Sequence, residues 1–270
     1  MPEWFEDTHF WENYGPIMFD RKRWDEVPLV ADGVTRIARL DLYHRDTTGI
    51  AAQLATKFPA HSNGEQGPRV LDLCCGFGRI ALELARRGFS VTGVDITETY
   101  LNTGREDAAY EKLDIEFIQQ DVRVFKRPNA YDLALNLYIS FGYFDDPKDD
   151  LLFAKNAYES LKPGGSFIIE TLGKEIAVRD FVETEWFERA GYTVLTEYAP
   201  VDSWTGLKNR WILVKNGERI EKTFIQRLYS AAELRRLLFD AGFRAVELYG
   251  SWEEAPYDHR AETLIAVGRK

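Results

Sequence analysis

The sequence is poor in cysteine and has no long apolar run, and both absences restrict what the protein can be. Its 270 residues include only two cysteines, Cys74 and Cys75, which are adjacent and cannot staple distant segments. This usage is typical of a cytoplasmic protein and provides no ligand set for a structural metal, so no metal site is expected. No apolar run approaches the roughly 20 residues of a membrane-spanning helix, so no membrane partner is expected.

Positive charge is also scarce. Lysine and arginine number 34 against 44 acidic residues, a formal net charge of -10. A protein that binds nucleic acid needs basic surface patches that displace counterions, so nucleic acid is not an expected partner. The N-terminus, MPEWFEDTHF, is acidic and aromatic, unlike a secretory signal peptide.

The pattern of the chain predicts an N-terminal helical cap with a linker over residues 1–66, followed by one main domain over 67–270. Turn-forming residues fill the segment PAHSNGEQGP at 59–68. Apolar residues at helical spacing precede it, with Val34, Ile37 and Ala38 on one face and Ile50, Leu54 and Phe58 on another. The aromatic-rich start of the cap has two interpretations, a lid over a ligand or a cap packed on the core.

Strands and helices alternate after the linker. RVLDLC, SVTGVD, DIEFIQQD, YDLALNLY and SFIIETL predict strands, and three helical segments lie among them. Gly88 is predicted to end the first of these helices, and Thr97 to cap the second. This rhythm predicts an α/β fold with a mostly parallel sheet and helices on both faces.

The rhythm changes after Gly173. Three extended segments within residues 192–229, two of them joined by Asn216-Gly217, predict an inserted antiparallel β lobe. Ser230 and Glu233 then form a capping-box pattern before a helix, and AVELYG and ETLIAVGR predict the last strands. The lobe is expected over the active-site face or in a dimer contact, which leaves both a monomer and a homodimer open.

A glycine turn between the first strand and its helix marks a ligand site. Gly76 and Gly78 allow close approach of the backbone, and the helix N-terminus offers free N–H groups. Asp72 would repel a pyrophosphate but suits an ammonium and a sulfonium. Asp95 ends the second strand, where a carboxylate accepts from a ribose diol, and Asp121 ends the third, where it can accept from an adenine amino group. These groups match the parts of S-adenosylmethionine.

Two other functions remain open from the residues alone. Gly76-x-Gly78-x-x-Ala81 also satisfies the dinucleotide fingerprint, so an NAD-dependent oxidoreductase is one alternative. A non-catalytic protein that only binds S-adenosylmethionine is the other. Cys74 and Cys75 are interpreted as small packing residues near the ligand, because their spacing is wrong for a redox pair.

Residues 70–172 resemble the class I S-adenosylmethionine-dependent methyltransferases. VLDLCCGFGRIALELARRG resembles the first motif of that family, VTGVDIT its ribose-binding acid, QQDV its adenine loop, YDLALNLYISFGYF its fourth motif and LKPGGSFIIE the turn before its fifth strand. The opening FW..YGPIMFDRKRW and the closing APYDH resemble a stand-alone bacterial small-molecule subgroup. The resemblance implies a Rossmann-like seven-stranded mostly parallel sheet and S-adenosylmethionine as cofactor. The implied cofactor-binding residues are Asp72, Cys74, Gly76, Gly78, Asp95, Ile96, Asp121, Val122, Asn136 and Leu137.

The methyl acceptor is expected beyond the fourth strand. The predicted acceptor pocket contains Tyr138, Ser140 and Phe141, with Tyr257 at the rim, and the candidate catalytic residues are His259 and Tyr143. Methyl transfer from a sulfonium is an in-line displacement that depends on alignment, and a base is useful only when the acceptor loses a proton. The alternatives without a functional role are that these aromatic residues belong to the core and that His259 is a surface residue.

Two acceptor classes and a metal mechanism are disfavoured. NLYI at 136–139 lacks the prolines found where exocyclic amines of bases or glutamine are methylated, and no cysteine nucleophile for cytosine C5 lies near it. We interpret four acidic residues as parts of a solvated loop and a helix start rather than as a magnesium site: Asp145, Asp146, Asp149 and Asp150. The dipole of a helix stabilises acidic side chains near its N-terminus.

Overall fold

The structure, a computed structural model, describes residues 3–40 and 67–270. The predicted apolar face of Ile50, Leu54 and Phe58 and most of the linker at 59–68 lie outside the described residues. The strands are β1 (Arg69–Leu73), β2 (Ser90–Asp95), β3 (Ile115–Gln119), β4 (Tyr131–Asn136), β5 (Leu161–Thr171), β6 (Thr184–Arg189), β7 (Tyr192–Val201), β8 (Gly206–Lys215), β9 (Glu218–Arg227), β10 (Ala245–Tyr249) and β11 (Leu264–Arg269). The helices are α1 (Thr8–Met18), α2 (Arg21–Asp25), α3 (Val27–Ile37), α4 (Arg79–Arg86), α5 (Glu98–Glu111), α6 (Pro147–Ser160), α7 (Lys174–Arg179) and α8 (Ala231–Ala241).

A seven-stranded sheet forms the centre of the fold, in the order β10-β11-β5-β4-β1-β2-β3. Strands β1 to β5 pair in parallel, whereas β11 runs antiparallel to both β5 and β10. The predicted Rossmann-like, mostly parallel sheet is confirmed. Because the parallel strands point the same way, the loops after β1, β2, β3 and β4 meet at one edge, where ligands bind in such sheets.

Helices cover both faces of this sheet. On one face, Leu71, Ala134 and Phe167 belong to a buried cluster that also takes in residues of α6 and α8. On the other face, Val70 and Leu133 belong to a second cluster with residues of α3, α4 and α5. Successive side chains of each strand point to opposite faces of the sheet, so they are buried in two separate cores. Burial on both faces explains the nearly continuous apolar sequences of β1 and β4.

The predicted helix ends are largely confirmed. Gly88, just past α4, is left-handed with φ 92°, a conformation that glycine adopts without strain. Ser230 and Glu233 form the predicted capping box at the start of α8. Thr97 occupies the N-cap position of α5 as predicted, but its side chain makes no capping hydrogen bond.

The antiparallel lobe has four strands, in the order β6-β7-β8-β9. It begins at Thr184, one strand earlier than the predicted boundary at 192, because β6 is a largely exposed edge strand without a clear apolar alternation. The hairpin at Asn216-Gly217 is present, with left-handed φ values of 53° and 83°. The inner face of the lobe packs Val194 and Leu213 against α1.

Asp150 corrects part of the expectation for the acidic segment. Asp146 caps α6, as its predicted place at a helix start requires. Asp150, however, is fully buried rather than solvated, and its carboxylate accepts hydrogen bonds from Arg227 Nε at 3.1 Å and Tyr229 Oη at 2.8 Å. Burial raises the pKa of Asp150 to about 6. Within 3–40 and 67–270, no group of three or more potential ligands could hold a metal, and no described helix is long and apolar enough to cross a membrane.

Replacing Arg227 by methionine is expected to lower the free energy of unfolding by about 3 kcal/mol at pH 7.5, because the buried Asp150 carboxylate would lose its charged partner. Urea unfolding measures the change. Arg210→Met, which breaks exposed ion pairs on the outer face of the lobe, is the control and should change stability little. Adding Asp150→Asn to Arg227→Met should restore part of the loss. Equal losses in the two arginine variants would contradict the argument.

Candidate functional site

A cavity lies at the carboxyl edge of the parallel strands. It has about 760 Å³ of atom-free space, some of it open to solvent. The predicted residues that line it are Cys74, Gly76, Asp95, Ile96, Asp121, Val122, Ser140 and Tyr143. The lining residues that were not predicted as site residues are Phe5, Trp11, Met18, Phe19, Thr97, Tyr100, Gln120 and Phe144. The formally charged side chains in the described part of this lining are those of Asp95 and Asp121, which disfavours a pyrophosphate there.

Asp95 is held rigidly at the end of β2. Its Oδ2 accepts a hydrogen bond from the Gly76 N–H at 2.8 Å, and its Oδ1 accepts one from the Thr97 N–H at 2.9 Å. Burial raises the pKa of this carboxyl, while the two backbone hydrogen bonds lower it. Each carboxylate oxygen retains a lone pair for a second donor. The two oxygens can therefore accept from two neighbouring hydroxyl groups of a ligand.

The glycine turn brings backbone close to aromatic side chains. Gly76 is left-handed with φ 56°, and a Cβ built there would lie only 2.9 Å from Cζ of Phe19. Cys74 is also left-handed, with φ 60°, although it is not a glycine. Burial raises the pKa of the Cys74 and Cys75 thiols. Both therefore remain protonated at neutral pH, which disfavours a redox role.

The carboxylate of Asp121 already has a cationic partner. Arg123 Nε and Nη2 donate to its Oδ2 at 2.9 and 2.6 Å, and the Arg123 N–H donates to its Oδ1 at 2.7 Å. The same guanidinium also donates to Glu3 and, at 3.2 Å, to Asp149. This ion-pair network links the loop after β3 to the N-terminal segment. The contact of Asp121 with adenine remains a prediction, and Oδ1 is the oxygen that is less occupied.

Four predicted cofactor residues lie behind the lining. Asn136 Nδ2 donates to the Leu73 carbonyl at 3.1 Å, which ties β4 to β1. Leu137 is buried in the second core, and Gly78 is the left-handed N-cap of α4. Asp72 is buried beside the turn, and no described residue donates a hydrogen bond to its carboxylate. Burial and the nearby Asp95 charge raise the pKa of Asp72 to about 7.

The structure brings only part of the predicted acceptor pocket to the cavity. Ser140 and Tyr143 line it, whereas Tyr138 stacks under the Arg79 guanidinium, 4.4 Å from its ring centroid. Phe141 is core, with its ring 5.6 Å from that of Phe153.

Tyr257, predicted at the rim, and His259, a candidate catalytic residue, are not among the residues that line the cavity. Tyr257 Oη donates to Glu175 at 2.9 Å. His259 is exposed, and its carbonyl accepts from Arg179 at 2.6 Å.

The N-terminal segment, for which the sequence left a lid and a core cap open, supplies one wall of the cavity. Trp11 Nε1 donates to the Phe5 carbonyl at 2.7 Å, and Tyr100 Oη donates to the Trp11 carbonyl. Trp4 Nε1 donates to the Tyr143 carbonyl at 3.2 Å. Of the two interpretations of this segment, its placement over the cavity favours a lid. The many aromatic residues before position 25 were the sequence feature that could have indicated a lid.

A family model described as a methyltransferase domain matches residues 70–165, which span β1 to the start of β5. The Bacillus subtilis (strain 168) protein YqeM, whose name describes it as a methyltransferase, is 26% identical over 222 residues, covering 80% of this chain and 89% of its own. A ubiquinone biosynthesis O-methyltransferase of Idiomarina loihiensis is 31% identical over 118 residues, 43% of this chain and 47% of its own. A Clostridium acetobutylicum S-adenosylmethionine-dependent methyltransferase structure has a TM-score of 0.68 at 14% identity, covering 97% of this chain and 96% of its own.

Proposed function

We propose that this chain, a class I S-adenosylmethionine-dependent methyltransferase, transfers the methyl group of its cofactor to a small-molecule acceptor held under the N-terminal segment. The observation that carries the proposal is the geometry of Asp95. Backbone N–H groups on two sides fix its carboxylate at the cavity wall, with one lone pair free on each oxygen. That arrangement suits the ribose diol of S-adenosylmethionine.

The remaining groups fit the other parts of the same cofactor. The turn at Gly76 provides backbone that can approach the methionine portion closely. Asp72 offers a buried carboxylate to the ammonium, and Val122 offers an apolar surface beside the predicted adenine position. When bound, the cofactor supplies an activated methyl sulfonium. The protein has to orient the acceptor in line with it and keep water away.

The acceptor-side residues act by orientation and exclusion of water. Tyr143 lines the cavity, and burial raises its pKa, so its hydroxyl remains neutral and can only donate or accept a hydrogen bond. Phe5, Trp11 and Phe19 close the cavity from the N-terminal side. This enclosure favours a small acceptor over a macromolecule, in agreement with the net charge of -10. The two free thiols support a cytoplasmic setting.

Ligand binding and turnover separate this function from its alternatives. Calorimetry should detect S-adenosylhomocysteine binding, and NADH should not compete, because the acids in the lining disfavour a pyrophosphate. Incubation with methyl-labelled S-adenosylmethionine and a fractionated extract of the source cell, followed by mass spectrometry, should reveal a labelled small product. Tight NADH binding without S-adenosylhomocysteine binding would favour the oxidoreductase. Cofactor binding without a labelled product from any fraction would favour the non-catalytic binding protein.

A further inference from the structure

The N-terminal segment is held against the main domain by ion pairs to which it contributes the acids. Three of its carboxylates each pair with a cation from a different part of the main domain: Glu3 with Arg123 after β3, Asp7 with Lys222 of β9, and Asp20 with Arg189 of β6. All six side chains remain partly exposed to solvent. Pairs of this kind are individually weak, so they can break and re-form while the main domain stays folded.

Aromatic contacts hold the segment against the same strand, β9. The ring of Trp4 stacks on that of Phe224, with centroids 3.9 Å and planes 9° apart. Lys222 and Phe224 are two residues apart on β9, so their side chains point to the same face of the lobe. Trp4 also donates through Nε1 to the Tyr143 carbonyl, in the loop after β4. One face of β9 therefore holds the segment in place beside the acceptor side of the cavity.

The segment lies where a ligand of the glycine turn has to be. Phe5, Trp11 and Phe19 line the cavity from this side. The ring of Phe19 is in contact with the turn, since a Cβ built on Gly76 would lie only 2.9 Å from its Cζ. This spacing leaves no room for ligand atoms between the ring and the turn. A ligand that uses the turn therefore requires the segment to move.

We propose that the N-terminal segment is a lid whose opening limits the exchange of the cofactor, and that its ion pairs with Arg123 and Lys222 set how often it opens. This inference rests on the proposed function, because it assumes that S-adenosylmethionine occupies the cavity. A lid that has to open for entry and for exit controls both rates. Weaker ion pairs therefore raise the association and dissociation rate constants together, and change Kd less than either of them. Loss of a contact with the ligand would raise the dissociation rate constant alone.

Stopped-flow measurements with S-adenosylhomocysteine, followed by the fluorescence of tryptophans such as Trp11, test the lid. Asp7→Asn removes the charge, but its amide oxygen can still cap α1 by accepting the Phe10 N–H. This variant should raise both rate constants roughly 3–5-fold. Lys222→Met should do the same, and the double variant should add little, because both changes break one pair. Adding Glu3→Gln to Asp7→Asn should raise both rate constants further.

Lys174→Met is the matched control. Its ion pair with Glu233 is similarly exposed, with side chains 19% and 50% exposed against 17% and 40% for Lys222 and Asp7, and it does not involve the segment. The control should change neither rate constant. In the wild-type protein both rate constants should rise with ionic strength, and less so in Asp7→Asn. S-adenosylhomocysteine has no net charge at neutral pH, so salt does not act by screening its attraction to the protein.

The two rate constants decide the outcome. Unchanged rate constants in Asp7→Asn and Lys222→Met, or a rise in dissociation alone, would overturn the lid. An equal response in Lys174→Met would also overturn it, since the effect would then follow from loss of stability. If Lys222→Met does not fold, Asp7→Asn decides alone. Failure of the wild-type protein to bind S-adenosylhomocysteine would instead refute the proposed function.

Discussion

Asp95→Ala should weaken S-adenosylhomocysteine binding by at least roughly 100-fold, because a ribose diol would lose two charge-assisted hydrogen bonds of about 1.5–3 kcal/mol each. The carboxylate also receives the Gly76 and Thr97 N–H groups. Its removal therefore frees the turn on which the methionine portion is proposed to lie. Isothermal titration calorimetry measures the loss, and thermal unfolding shows whether the variant remains folded.

Asp121→Asn is the matched control for this prediction. The Asp121 carboxylate is already engaged by Arg123, so its replacement should cost much less affinity than the loss of Asp95. The amide oxygen of asparagine can still accept a hydrogen bond from an adenine amino group. Affinity unchanged in Asp95→Ala, or a larger loss in Asp121→Asn, would remove the ribose assignment and point to a different orientation of the ligand.

The parallel half of the fold could be predicted because its determinants are local. Each strand is a short apolar run bounded by turn residues, and glycine marks the turn after β1 and the end of α4. The same local logic gave the capping box at Ser230 and the hairpin at Asn216-Gly217. β6 was missed because it is a largely exposed edge strand, in which Phe187 packs against a buried cluster, and so it carries little apolar pattern.

Only part of the acceptor side could be predicted, because the backbone conformation there breaks the alternation of the strand. Tyr138 and Ile139 are both left-handed, with φ 57° and 64°. Two consecutive residues of this kind redirect the chain after β4, so that Tyr138 lies under Arg79 while Ser140 reaches the cavity. Glu170 stabilises the bend by accepting the Tyr138 N–H at 2.6 Å. A strand-like alternation read from the sequence alone cannot anticipate such a bend.

The sequence could not decide between a lid and a cap packed on the core for a different reason, the distance in sequence between the residues that contact each other. The ring of Trp4 stacks on that of Phe224 with centroids 3.9 Å apart, and Trp11 accepts through its carbonyl from Tyr100. Lys222 also donates to the N-cap residue Asp7 at 2.7 Å. The antiparallel lobe therefore has a role that its sequence did not reveal, since it supports the N-terminal segment against the cavity.

Asp72→Asn should make the ligand-free protein more stable at pH 8, by about 2 kcal/mol, while it weakens cofactor binding. The folded pKa of this carboxyl, about 7, lies above its ordinary value of 3.8. Between these two pH values the folded state holds more protons than the unfolded state, so the contribution of Asp72 to the free energy of unfolding falls as the pH rises from about 4 to 7. Asparagine does not ionise, and so removes this loss.

Urea unfolding of the wild-type protein and Asp72→Asn at pH 5 and pH 8 measures the effect. The variant should exceed the wild type by more at pH 8 than at pH 5, since at pH 5 most of the wild-type carboxyl is already neutral in the folded state. The buried amide would still lack a hydrogen-bond partner, which keeps the gain below the full value of the pKa shift. A variant less stable than the wild type at pH 8 would mean that the Asp72 charge stabilises the fold, and would refute the proposal that this carboxylate is free to bind a ligand ammonium.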